Sequence, residues 1–370
     1  MISGKKSFRT GLLIVLLLTF SGAATAQNNG DSESLTLWGT DESKWPNNTD
    51  FNTPFGVAID NSGNVYVADT DNHQIQKFTS NGTFVTKWQT IGPIGSGIGE
   101  LHSLPYGVAV DDTGTVYVVD SYYNCITKFT SDGTFIAKWG KRGSGNGQFN
   151  APSAVAVDGS GIVYVADTGN HRIQTFTSDG TYLSAWGSEW FGEGKLDSPS
   201  GVAVDNAGYI YVTDTGDELI KKFTSDGTFV TKWRAIGSGI GELSGLPYGV
   251  AVDDTGIVYV TGMYYGRIQL FTSNGTFLTQ WGQNGSEPEE FCTPLGIAVD
   301  RSGAIYVADT NNNRIQTFKR SDVLPASSGN VTHSGSTPPP TSSPGSVIVV
   351  ISGIMIVALA AGVVLPIRKN

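Results

Sequence analysis

Between Ala151 and Gly187 the apolar and polar positions fall into four short runs. Ser153 to Asp158 and Gly161 to Asp167 are rich in Val, Ala and Tyr and are separated by Gly159, Ser160 and Gly161, which predicts two strands joined by a tight turn. Arg172 to Thr177 alternates polar and apolar, Ser178, Asp179 and Gly180 turn the chain, and Thr181 to Trp186 forms a fourth strand-like run. The unit is a four-stranded antiparallel meander.

Relatives of this unit recur along the middle of the chain. The aspartate closing the first strand marks the period at Asp60, Asp111, Asp158, Asp205, Asp253 and Asp300, with steps of 51, 47, 47, 48 and 47 residues. A four-stranded unit at that period predicts an all-β, six-bladed β-propeller, its blades ringed about a central channel. The sixth unit stops after its third strand, Arg314 to Phe318, while Leu35 to Gly39 matches the end of a fourth strand ahead of the first complete unit. The N-terminal strand is therefore expected to complete the last blade and remove an open sheet edge. The propeller is placed at residues 34–319.

The phrase G-x-V/I-Y-V-A-D-T-x-N-x-R-I-Q-x-F, at Gly161 to Phe176 and Gly303 to Phe318, resembles the NHL repeat, over roughly Leu35 to Phe318. The resemblance implies a six-bladed propeller. Blade 5 departs with Gly262 where other blades carry Asp, and blade 4 with Glu218-Leu219 where Arg-Ile is usual. Some NHL propellers bind RNA, but a formal charge of -10 argues against a nucleic-acid surface. The resemblance extends to the peptidyl-hydroxyglycine lyases, zinc enzymes whose metal needs several converging histidines, and this sequence does not offer them.

The ends of the chain change the picture from a bare propeller to an exported one. Residues 1–26 place Lys5, Lys6 and Arg9 ahead of an apolar run and close on Ala24-Thr25-Ala26, the form of a secretory signal. Residues 320–345 are a Ser/Thr/Pro/Gly-rich stalk. Residues 346–367 are free of charge and long enough for a transmembrane helix, with the basic tail 368–370 inside. Pro344-Gly345 resembles the archaeal Pro-Gly-Phe sorting signal, with Ser346 where Phe is expected, and a retained helix is favoured. The propeller is thus expected at the cell surface, anchored in the cytoplasmic membrane. Glycosylation acceptors occur at Asn47, Asn81, Asn274, Asn284 and Asn330.

Candidate chemistry is thin. His73 and His171 share one repeat position, where blade 6 has Asn313, and read as turn residues; His102 and His333 stand alone. Asp69, Asp120, Asp167, Asp214 and Asp309 open the loops after the second strands and suit turn structure. A calcium site among these carboxylates is the alternative, without EF-hand spacing to support it. No catalytic residue, metal or cofactor is assigned. Cys125 and Cys292 are expected to remain free thiols. Trp38, Trp88, Trp139, Trp186, Trp233 and Trp281, one per blade, are expected to pack between sheets.

Differences between repeats point to function more sharply. Thr83 to Gly114 and Thr228 to Gly256 are nearly the same, and Asp111 to Asp253 and Asp158 to Asp300 both span 142 residues, so a three-blade unit is duplicated and blades 2 and 5 face each other across the axis. Strand alternation puts the loops between second and third strands and those between blades on one face. There blades 2 and 5 carry Tyr122 and Tyr123, Tyr264 and Tyr265, with Tyr106 and Tyr248 in matching L-P-Y-G segments; Trp190 and Phe191 occupy another loop of that face. These residues form the candidate aromatic rim for an extracellular protein or glycan. The alternatives are that they pack in their own loops, that the channel serves a lyase or hydrolase, or that the chain is a structural envelope component.

Overall fold

The computed structural model describes residues 36–39, 50–90, 103–188, 192–234, 246–324, 348–351 and 354–357. Its first compact unit, ending at Pro325, holds six four-stranded antiparallel sheets. Blades 1 to 5 follow one another with first strands Pro54–Ile59, Pro105–Val110, Ala154–Val157, Pro199–Val204 and Pro247–Val252. Blade 6 takes Pro294–Val299, Ala304–Asp309 and Arg314–Lys319 from the end of the repeats and Thr36–Trp38 from their start. Thr36, Leu37 and Trp38 pair with Thr317, Gln316 and Ile315, so the ring closes as the partial repeats imply.

The six first strands meet at the axis, each against the first strands of both neighbouring blades. In the five blades that carry the P-x-G-V/I motif, their approach leaves no room for a side chain at its third position; blade 3 has Ala154 there. A Cβ on Gly249 would lie 2.1 Å from the Leu295 carbonyl oxygen, and one on Gly296 would lie 2.3 Å from that of Phe55. In blades 1, 2, 5 and 6 the same place carries an irregular register, with two residues of the first strand opposite one of the second. Such a bulge re-aims side chains.

Away from the axis the blades diverge, and large residues fill the widening gaps. Trp38 of blade 6 lies 5.6 Å from Phe78 of blade 1 at a tilt of 38°, and Trp88 of blade 1 lies 6.0 Å from Phe129 of blade 2. Each such indole covers a turn glycine of the next blade: Gly82, at φ 84°, would place a Cβ 2.7 Å from Trp38 Nε1. The expected packing of the tryptophans between sheets is what the structure has.

The repeated aspartates tie loops to strands. Asp167, fully buried, accepts the Asn150 N–H at 2.7 Å through Oδ1, and Asn170 Nδ2, Arg172 Nε and Gln174 Nε2 at 2.8 to 2.9 Å through Oδ2. Asp309 repeats the set with Cys292, Asn312, Arg314 and Gln316. In blade 4 the register moves the sequence alignment by one residue: Leu219-Ile220, and not Glu218-Leu219, matches Arg172-Ile173, so Leu219 stands opposite Asp214 and the cation is restored from two residues on. Buried Lys221 contacts Asp214 and donates to Asp217 at 3.1 Å.

At the C-terminal end the structure moves a boundary. Arg320–Val323, assigned from sequence to the stalk, is a short helix, and Val323 and Leu324 pack on the core between blades 5 and 6. Arg320 Nη1 donates to Asp253 Oδ2 at 3.0 Å. Blade 6 lacks the turn between third and fourth strands, and this helix occupies its place in the chain. Within 346–367, where the sequence predicts a membrane helix, the described residues are two paired strands, Ile348–Ile351 and Ile354–Val357. The β-branched runs there favour extended backbone as strongly as helix. No helix among the described residues is long and apolar enough to cross a membrane. The signal segment and most of the stalk lie outside the described residues.

Two outcomes follow from this packing. Gly249→Ala should destabilise the chain by about 1–3 kcal/mol in chemical denaturation, whereas Ala154→Gly, at the equivalent position of blade 3, should cost only about 0.5–1 kcal/mol. Equal costs would mean that the axial contact is not tight. The second concerns Asp214, whose carboxyl is pushed up to about 6 by burial, against the pull of Lys221. The folded-state value lies above the unfolded one, so the group's contribution to stability is full below the unfolded value and is lost as pH rises through about 6. Wild type should lose stability relative to Asp214→Asn between about pH 4 and pH 7. A relative gain over that range would mean that the Lys221 pair outweighs burial.

Candidate functional site

Backbone bonds join the loops between second and third strands to the loops between blades, so both lie on one face, here called the top. In blades 1, 3, 4 and 6 the second loop residue after the aspartate position makes this bond: Asp71 N–H to the Asn52 carbonyl, Gly169 to Asn150, Gly216 to Asp197 and Asn311 to Cys292, at 2.8 to 3.1 Å. In blades 2 and 5 the bond shifts by one residue, to Ser121 with Leu104 at 3.1 Å and Met263 with Leu246 at 3.2 Å. The next residues, Tyr122 and Tyr264, are released from the clamp. They are 59% and 64% exposed, the highest values among the large hydrophobic side chains described.

The Tyr122 ring is held in place. Tyr123 meets it edge-on at 5.1 Å and 85°, and Lys138 Nζ sits 5.2 Å from the Tyr123 ring centre. Tyr123 N–H donates to Asp120 Oδ1 at 2.9 Å, and Asn124 Nδ2 donates to the Tyr122 carbonyl at 2.8 Å. Tyr123 and Tyr265 are half-buried. Lys138, on the outer strand of blade 2, belongs to this station and was not singled out from sequence, because its repeat position gives no sign that it faces the loop.

Tyr106 and Tyr248 go elsewhere. The bulges turn them into the channel mouth, where Phe55 stacks on Tyr106 at 4.1 Å and meets Tyr248 edge-on at 5.8 Å. Blades 1 and 5 are not neighbours, so these rings meet over the axis and plug it together with Leu295. Burial pushes both tyrosine hydroxyls above their ordinary value, with Asp71 adding to the effect on Tyr106. The cavity left at the axis is about 90 Å³. Phe55 could have been found from sequence as the residue matching Tyr106 and Tyr248 in the P-x-G motif.

The opposite, bottom mouth is wider, about 490 Å³, with Asp112, Ser160, Asn206 and Arg301 on its rim. Asp112 accepts Asn61 Nδ2 at 2.8 Å and lies 3.8 Å from Arg301. The period-marking aspartates there serve their own turns. Burial works against the charge on Asp111, but bonds from Thr113, Thr115 and Tyr117 outweigh it and hold the carboxyl below its usual range. On the top face, a hollow of about 500 Å³ between blades 3 and 4 contains His171, 3.2 Å from Asp197.

His171, His73 and Asn313 all close short 3-10 turns in the left-handed conformation, at φ 53 to 57°, which fits the reading of these histidines as turn residues. Among the described residues no group of three His, Cys, Asp or Glu side chains is placed to hold a metal ion. Cys125 is buried and Cys292 half-buried, both unpaired, and burial with nearby Asp120 pushes the Cys125 thiol up to about 12. Asn81, Asn274 and Asn284 are exposed. Asn47, Asn330, His102, His333, Trp190 and Phe191 lie outside the described residues.

Comparison with known proteins agrees with this geometry. The NHL repeat model matches residues 51–78, 149–176, 196–223 and 291–318. These segments fall on blades 1, 3, 4 and 6, and the blades outside them are the two that carry the tyrosine pairs. Peptidyl-glycine alpha-amidating monooxygenase of Mus musculus is 36% identical over 112 residues, covering 28% of this chain and 11% of its own length. Peptidyl-alpha-hydroxyglycine alpha-amidating lyase 1 of Drosophila melanogaster is 34% identical over 93 residues, covering 25% and 17%. The chain thus spans less than a fifth of either relative. Among solved structures, virginiamycin B lyase from Staphylococcus aureus aligns with a TM-score of 0.52 at 18% identity, over 74% of this chain and 82% of that one. A gluconolactonase from Xanthomonas campestris aligns with a TM-score of 0.53 at 17% identity, over 74% and 87%. Identities this low speak to the fold alone. By its sheet topology and its matched segments, the chain carries NHL repeats and folds as a six-bladed β-propeller.

Proposed function

We propose that the chain is a cell-surface recognition module, exported by its N-terminal signal, anchored through residues 346–367, and binding an extracellular protein or glycan with the top face of blades 2 and 5. The observation that carries this reading is the exposure of Tyr122 and Tyr264 at the one loop position where the clamp is shifted. Exposed tyrosines offer broad contact area at little cost in side-chain entropy. The basic-then-apolar N-terminus and the uncharged C-terminal run support the location.

A second reading, an extracellular lyase or hydrolase, draws on the names of the matched proteins. In that case turnover would depend on polar residues of the channel wall such as Ser153 and Ser200. The aromatic plug and the small axial cavity favour the first reading.

The test is chemical cross-linking of the full chain in native cell envelopes, comparing wild type with Tyr122→Ala/Tyr264→Ala. Each tyrosine, as an interface hot spot, should contribute about 2 kcal/mol, roughly thirtyfold in affinity, so the double variant should lose its cross-linked partner. Its stability should stay within about 0.5 kcal/mol of wild type, as expected for exposed positions. Retention of the partner, or a large loss of stability, would overturn the assignment.

A further inference from the structure

Apart from the top face, we infer that the bottom mouth of the channel is a second binding site and that it takes a free aliphatic α-amino acid. The residues that follow the period-marking aspartates around the ring are Asn61, Asp112, Gly159, Asn206, Asp254 and Arg301. The three-blade duplication relates them in pairs, and two of the three pairs match. Asn61 Nδ2 donates to Asp112 at 2.8 Å, and Asn206 Nδ2 donates to Asp254 at 2.9 Å. The third pair is Gly159 and Arg301, and there the two halves part.

Both consequences fall at one place. Asp112 Oδ2 lies 3.7 Å from where a Cβ on Gly159 would stand, so that residue puts no side chain beside the carboxylate. Arg301 reaches from blade 6 to blade 2, past the blade between them, and brings Nη2 to 3.8 Å from Asp112 Oδ1. That separation is too long for a hydrogen bond. The two side chains are 68% and 62% exposed, and a pair so placed is worth little to the fold. A guanidinium with donors to spare and a carboxylate with lone pairs to spare thus stand side by side on a cavity of about 490 Å³.

Their spacing selects the ligand. An ammonium and a carboxylate borne on one carbon lie roughly 3 Å apart by ordinary covalent geometry, so one can face Asp112 while the other faces Arg301. The four charges then alternate in sign around a small ring. A lone anion is disfavoured, because Asp111, Asp158 and Asp205 line the same cavity, bonded within their own turns but still charged. A lone cation would be repelled by Arg301, the one positive side chain among the described residues of the lining. The valines that precede these aspartates, Val110, Val157 and Val204, are half-buried and give the cavity an apolar wall. That wall suits an aliphatic side chain.

Isothermal titration of the full-length chain in mild detergent with L-valine, L-leucine and L-isoleucine tests the assignment. At least one should bind saturably. Two analogues, 4-methylpentanoate without the ammonium and leucinamide without the carboxylate, should bind at least about tenfold more weakly, since each forgoes a charge-assisted bond. Arg301→Gln and Asp112→Asn should each lower affinity by about the same factor. Gly159→Asn, which introduces the residue that blades 1 and 4 carry there, should weaken binding by filling the space beside Asp112. All three variants should unfold at the wild-type temperature, and Tyr122→Ala/Tyr264→Ala, on the other face, should titrate as wild type does. The inference is overturned if none of the three amino acids binds, if either analogue binds as well as leucine, or if binding survives Arg301→Gln or Asp112→Asn. Loss of binding in the tyrosine variant would move the site to the top face and overturn it as well.

Discussion

Six sheets that share an axis are squeezed at the centre and splayed at the rim, and that wedge constrains everything else in this molecule. At the centre the squeeze expels side chains: glycine stands where Gly56, Gly107, Gly201, Gly249 and Gly296 meet the backbone of the next blade. At the rim the splay demands bulk, and one tryptophan per blade supplies it; five of the six lie over the turn glycine of the next blade, and Trp281 meets Phe318 of blade 6, which lacks that turn. The ring needs no covalent closure because Thr36–Trp38 gives the last blade its outer strand and the first blade its tryptophan at once.

The same geometry separates structure from recognition. Buried carboxylates such as Asp167 and Asp309 gather backbone and side-chain donors from the loops above them, which ties those loops to the strands of blades 3 and 6. Blades 2 and 5 relax this arrangement. Blade 5 has Gly262 in place of the carboxylate, and in both blades the clamping bond moves back by one residue. What these blades forgo in repeat regularity they use to present a tyrosine to solvent.

Much of this was legible in the sequence. The aspartate period, the partial repeats at the two ends and the single tryptophan per unit report packing that every blade repeats, so six copies average away local exceptions. Features set by one blade's surroundings were not legible. Tyr106 and Tyr122 both read as top-face aromatics, yet a bulge sends the first into the channel and a shifted bond sends the second outward. Lys221 replaces an arginine from a different position of the strand, a substitution visible only once register is known. Arg320–Val323 looks like the start of a polar stalk until Val323 and Leu324 are seen against the core.

The central claim is that a rigid, axially packed ring displays its recognition residues on the top of blades 2 and 5. Hydrogen–deuterium exchange of the full chain, with and without solubilised native cell envelope, tests it most directly. The account predicts slowed exchange in residues 120–125 and 262–267 together, with the bottom turns 60–64 and 300–303 unchanged. Protection confined to the bottom turns, or to the first strands lining the channel, would contradict it.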